Sequence, residues 1–289
     1  MDTAQALKDG RLGDALASVK EAVRAAPADA RHRSLLFQLY CVQGNWEGAA
    51  TQLKLVADLD VEAALWVGVC EKLLACEAER RAVFAGQKPP TLFGQPPEWV
   101  GGLVEAFRLG LQGNWRAAAA SQAQALEAAP ATAAEFNGQE VAWVADADSR
   151  FGPIFEAFIE GKYYWIPCEH IRALHMRSRT HLMDSVWAPV DFEWLNEGQA
   201  AGYIPVRYPG SESSADPQIQ LGRQTEWHEE TAGFFRGLGH RILATDAAEF
   251  GLAEVKSIHF SPAANWDTPP PAGDADSVDE PMPTAGDAV

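Results

Sequence analysis

The string Asp146-Ala-Asp148-Ser-Arg150 holds the residue types closest to chemistry in this 289-residue chain. Alternating carboxylates can chelate a hard cation such as Mg²⁺ or Ca²⁺ through oxygen. A calcium loop demands more oxygen donors at regular spacing and a closing Glu, which is absent here. The simpler reading is a turn, with Asp148 capping a helix that starts near Pro153 and Arg150 pairing with a carboxylate. Asp146, Asp148 and His240 would form a metal-dependent hydrolase site only if folding brought them together beside a nucleophile.

Other titratable clusters point less clearly. His170, His175 and His181 are spaced by five and six, which puts no two imidazoles on one helical turn. His228-Glu229-Glu230 lacks the second histidine of a zinc-protease helix. No Gly-x-Ser-x-Gly elbow, phosphate loop or dinucleotide fingerprint occurs. The four cysteines, Cys41, Cys70, Cys76 and Cys168, form no Cys-x-x-Cys pair and read as reduced, buried thiols. The sequence therefore assigns no catalytic, cofactor-binding or metal-binding residue, and the chain reads as a binding protein.

The elements that position these residues fall into two kinds. In the first half, Gly10 is followed by Leu12, Ala15, Ala22 and Pro27. The frame recurs at Gly44 with Trp46, Ala49, Val56 and Val61, and at Gly113 with Trp115, Ala118, Ala125 and Pro130. Gly10 and Gly44 are 34 residues apart, the period of tetratricopeptide-like helix pairs. At most four pairs are expected over 1–135, the third interrupted by the Pro- and Gly-rich stretch 86–99. The first helix of each pair should line a concave groove. Its candidates are Arg31, Ser34, Leu35, Gln38 and Cys41 on one unit, and Val100, Leu103 and Phe107 on the last. An amphipathic helix laid there would bury its apolar stripe. Charging Leu103 and Phe107 should then abolish capture and leave the fold intact.

After about residue 136, short runs of Trp, Tyr, Phe, Ile and Val alternate with Gly, Pro and Asp. Strands are expected at 139–144, 162–166, 170–176, 186–194, 201–206, 224–230, 239–245 and 252–259, with a helix at 152–160 between Pro153 and Gly161. The fold class is α+β: a tetratricopeptide-like helical domain (1–135), a β-rich α+β domain (136–261), and a disordered acidic tail (262–289). Net charge of −17 argues against nucleic-acid binding and anionic lipid. With no signal peptide and no 18-residue apolar run, the expectation is a cytoplasmic protein without a membrane span.

Long strings then carry a likeness. ADARHRSLLFQLYCVQGNW (28–46), FGQPPEW (93–99), WVADADSRFGP (143–153), GKYYWIPCEHI (161–171), GYIPVRYPGSE (202–212) and GLGHRILATD (237–246) resemble the ImpE/TagJ (SciE-type) family of type VI secretion accessory proteins. The likeness spans about residues 1–260. It implies a non-enzymatic adaptor that binds the N-terminal helix of the small contractile-sheath subunit and is linked to sheath recycling by an AAA+ unfoldase. It supplies no catalytic residues. A scaffold that dimerises through its repeat groove is the other binding reading.

Overall fold

The structure is a computed structural model, and it describes residues 2–261. The tail expected at 262–289 lies outside the described residues. Seven helices come first: α1 (Thr3–Lys8), α2 (Leu12–Ala25), α3 (Ala30–Val42), α4 (Trp46–Leu59), α5 (Ala64–Phe84), α6 (Glu98–Leu111) and α7 (Trp115–Ala128). Gly10, Gly44 and Gly113 sit in the turns α1–α2, α3–α4 and α6–α7 at φ 75°, 68° and 74°, where a β-carbon would be strained. Asn45 accepts from the Gly48 N–H and starts α4.

The third pair departs from the repeat. α5 runs for 21 residues, and the chain then leaves it in a loop rather than folding back as a partner helix. That loop is fastened to the sheet: Phe93 N–H donates to Trp165 O at 3.0 Å, and Trp165 N–H donates to Thr91 O at 2.9 Å. The helices thus form three hairpins and one long unpaired helix.

Thirteen strands follow among the described residues: β1 (Ala134–Phe136), β2 (Gln139–Val141), β3 (Val144–Asp146), β4 (Ile154–Ile159), β5 (Lys162–Pro167), β6 (Ile171–Met176), β7 (Trp187–Trp194), β8 (Gln199–Pro205), β9 (Thr225–Thr231), β10 (Phe234–Gly239), β11 (Ile242–Thr245), β12 (Glu249–Gly251) and β13 (Ser257–Phe260). Eight make one antiparallel sheet in the order β2-β1-β13-β6-β7-β8-β4-β5. Strands β12-β11-β3 and β10-β9 make two small sheets.

The helix expected at 152–160 is instead strand β4. Glu160 and Gly161 both have positive φ, 50° and 77°, and join Ile159 to its partner Lys162 in a two-residue hairpin turn. Gly161 is therefore a hairpin glycine and not a helix end. The apolar run Ile154–Ile159 satisfies a strand because both of its faces are covered. Ile154 and Phe158 join the core shared with the helices, and Phe155, Ala157 and Ile159 join the core on the other face.

That shared core decides the architecture. One hydrophobic cluster runs from Leu36 and Phe37 on α3, through Leu73 and Val83 on α5, to Trp165, Trp187 and Tyr208. The sheet region sits against the helical array, where the sequence left room for a groove.

Candidate functional site

The expected groove residues divide by depth. Val100, Leu103 and Phe107 are 0%, 1% and 4% exposed. Phe107 packs edge-on to Phe84 at 5.1 Å and to Trp165 at 5.2 Å. Gln38 is buried, and its Oε1 accepts from the Met183 N–H at 3.1 Å, on the 3-10 turn Leu182–Ser185 of the sheet region. Cys41 is buried. Leu35 is half-buried against the core, and the Ser34 hydroxyl donates to Ala30 O at 2.9 Å. Arg31 is exposed and pairs with Asp29 at 2.8 Å. The open concave face is thus corrected: the chain's own second half fills most of it. Charging Leu103 and Phe107 would put carboxylates into a packed interior and unfold the protein, so it cannot report on binding.

Beneath this contact lies a buried ionic network. Arg80 on α5 donates to Glu156 on β4 through Nε (2.8 Å) and Nη2 (2.9 Å), and also to the Arg207 carbonyl (2.9 Å). Arg241 donates to both Glu156 and Asp146. The Tyr163 hydroxyl donates to Glu156 at 2.5 Å and accepts from Trp165 Nε1 at 2.6 Å. Trp187 Nε1 donates to Glu77 at 2.9 Å. Burial pushes the Glu156 carboxyl up, and Arg80 and Arg241 together pull it further the other way, to about 2. Arg207 sends its guanidinium into the carbonyl end of α3, donating to Val42 O at 2.6 Å and Cys41 O at 3.3 Å. A cation there meets carbonyls that have no helical partner.

The network also settles the use of the Asp-x-Asp string. Asp146 accepts from Arg241 and from the Tyr208 hydroxyl (2.8 Å). Asp148 accepts from the Arg150 side chain (2.9 and 2.5 Å) and backbone (2.9 Å), closing a turn with no helix after it. The expected pairing of Arg150 is present, and the expected cap is an Asx turn. His240 Nε2 accepts from the Ala253 N–H at 3.0 Å. The carboxylate oxygens are engaged by guanidiniums, and among the described residues no group of three or more His, Cys, Asp or Glu side chains could hold a metal ion.

Two adjoining recesses lie on the surface of the described residues, sharing Phe84, Pro209 and Gly210 as a common wall. One, of about 350 Å³, is lined by Phe107, Gly110, Leu111, Trp115 and Phe234, with Arg150 and Arg236 at its side. The other, of about 400 Å³, is lined by Glu77, Arg80, Arg81, Gln87 and Glu212. Together they make a trough with an apolar and a polar half. Phe107 is the one expected groove residue that lines it. The other walls were missed because Pro209, Gly210 and Phe234 come from loops and a strand that no repeat frame can place. Glu156 had a signal, a single carboxylate within the apolar run PIFEAFI.

The ImpE protein family model matches residues 138–259, and a tetratricopeptide repeat model matches residues 6–73. The type VI secretion system accessory component TagJ of Pseudomonas aeruginosa is 39% identical over 256 residues, covering 89% of this chain and 90% of that protein. The chain belongs to the ImpE family. The crystal structure of protein VPA1032 from Vibrio parahaemolyticus matches this ImpE chain with a TM-score of 0.81 at 26% identity, over 91% of this chain and 99% of that one. The repeat match ends inside α5, where the hairpin pattern of the ImpE chain also breaks. No helix of this ImpE protein, among the described residues, is long and apolar enough to cross a membrane.

Proposed function

We propose that this ImpE-family chain, a type VI secretion accessory component, works as a non-enzymatic adaptor. It captures the N-terminal helix of the small contractile-sheath subunit in the cytoplasm and so links the sheath to recycling by the AAA+ unfoldase. One observation carries the reading: the recess walled by Phe107, Leu111, Trp115 and Phe234 is open and mainly apolar, while Val100, Leu103, Gln38 and Cys41 of the expected groove are buried. An amphipathic helix seated there lays its apolar stripe on these side chains and turns a polar edge toward Arg81, Gln87 and Glu212. Apolar burial contributes about 25 cal/mol per Å² before ordering costs, which suits a transient complex better than a permanent one.

Leu111 is the residue for a test, because it lines the trough and is 41% exposed, so a charge there spares the core. Calorimetric titration of the sheath subunit's N-terminal peptide into the full chain should give saturable heat. Leu111→Glu should weaken the affinity by about tenfold or more, as removal of an apolar anchor does. No heat at high micromolar peptide would count against capture. An affinity indifferent to Leu111→Glu would count against the trough.

A further inference from the structure

A second surface stands out at the corner between α4 and α5. Val61 is 85% exposed, Leu65 72% and Leu59 41%, three of the eight large apolar side chains left exposed among the described residues. Leu65 and Gly68 lie three residues apart on α5, and Val61 sits on the 3-10 turn Val61–Ala63 that leads directly into it, four residues before Leu65. A β-carbon built on Gly68 meets nothing within 4 Å, so this strip is bare there. It ends near Lys72, whose side chain lies against Gly161 in the β4–β5 turn.

The bareness has a structural cause. α1, α3 and α6 each have a hairpin partner, but the chain leaves α5 in the loop that binds the sheet edge at Trp165. The N-terminal half of α5 therefore keeps an apolar face with no helix across it. The sequence here is Asp58-Leu59-Asp60-Val61-Glu62, so acid alternates with apolar residues. Asp60 is used to cap the turn Val61–Ala63, accepting from the Glu62 N–H at 3.0 Å. Asp58 and Glu62 are exposed.

We propose that this corner is a docking surface, separate from the trough, for a basic amphipathic helix of a partner protein. The incoming helix fills the position of the partner that α5 lacks. Its apolar side covers Val61 and Leu65, and its Lys or Arg side chains meet Asp58 and Glu62. Charge chooses this occupant: a second copy of the chain would set these carboxylates against each other, on top of a net charge of −17 per molecule. An anionic lipid surface meets the same repulsion.

The probe is a synthetic Leu/Lys amphipathic helix of about 18 residues, long enough to be helical when bound, titrated by fluorescence anisotropy into the full chain. Expected is saturable binding that Val61→Ser with Leu65→Ser weakens by about tenfold. Asp58→Asn with Glu62→Gln, which spares the Asp60 cap, should weaken it too and flatten its salt dependence. All four positions are exposed, and circular dichroism should confirm that both variants stay folded. Leu126→Ser, at another exposed leucine, and the trough variant Leu111→Glu should leave binding unchanged, so this test and that of the trough fail independently. The proposal is overturned if the Val61/Leu65 variant binds like the parent chain, or if a Leu/Glu helix binds as tightly. It is equally overturned if sedimentation shows a dimer that this variant dissolves, since the occupant would then be a second copy.

Discussion

Glu156 holds two guanidiniums at once, one from α5 and one from the start of the β11 segment. Glu156→Gln keeps the shape but leaves Arg80 and Arg241 sharing too little negative charge in a dry interior. The expected loss is about 3–5 kcal/mol, read from the urea midpoint, because a buried charge loses its partner. Two buried groups set opposing parts of the pH dependence: the Asp146 carboxyl, raised by burial to about 6, favours the fold more as pH falls through that value, and His240 favours it less. Burial, aided by Arg179, depresses the His240 pKa to about 4. A folded value below the unfolded one means that the neutral form is favoured by folding. The stability it contributes is complete above about pH 6.5 and is lost as pH falls toward 4. Between pH 7 and 5 the His240 share of that loss is about 2 kcal/mol, partly offset by Asp146. The chain with His240→Gln should lose correspondingly less over the same interval in urea titrations at the two pH values. Below about pH 4.5, Glu156 adds a second loss of the same sign as its carboxylate protonates.

At the scale of elements, the turn Glu160-Gly161 is the clearest local device. Both residues have positive φ, which suits Asn-Gly better than Glu-Gly. Glu160→Asn should raise stability by about 0.5 kcal/mol in thermal or urea unfolding, because the unfavourable conformation becomes easier to hold. This turn also marks where reading from sequence misleads. Pro153 and Gly161 bracket a segment that resembles a helix with start and stop signals, and a strand buried on both faces shows no alternation to oppose that impression. The repeat frame, by contrast, was legible because Gly10, Gly44 and Gly113 each do the same local job. Strands β5, β6, β7 and β8 were legible from their aromatic and β-branched runs. The short strands β1, β3, β12 and β13 were folded into longer expected runs or passed over, since three or four residues carry little pattern.

At the scale of the molecule, the site was the least legible part. The small residues and apolar stripe of α6 correctly signal a buried face. Nothing local says whether that face is covered by a foreign helix or by residues some 60 to 100 positions later in the chain, such as Trp165 and Tyr208. Long-range pairing of Arg80 with Glu156, and of Arg207 with the end of α3, decided it. The boundary near residue 135 is thus a change of architecture, and we expect it not to separate two folding units. Calorimetry should show one cooperative transition, and fragments 1–135 and 136–261 should each fail to unfold cooperatively alone, because each exposes half of one core. Two resolved transitions would contradict the shared core.

The filled concavity has a mechanical consequence. An array of helix pairs with an empty curve behaves as a spring, since each repeat touches only its neighbours and small rotations add along the stack. Here the second half of the chain is fastened to the middle of the array at two points, by Arg207 to the end of α3 and by Glu156 to Arg80 of α5. That half is a strut. Tension applied between α3 and α5 therefore meets a braced body with little elastic give, and the stretch of the array between them keeps its curvature under load.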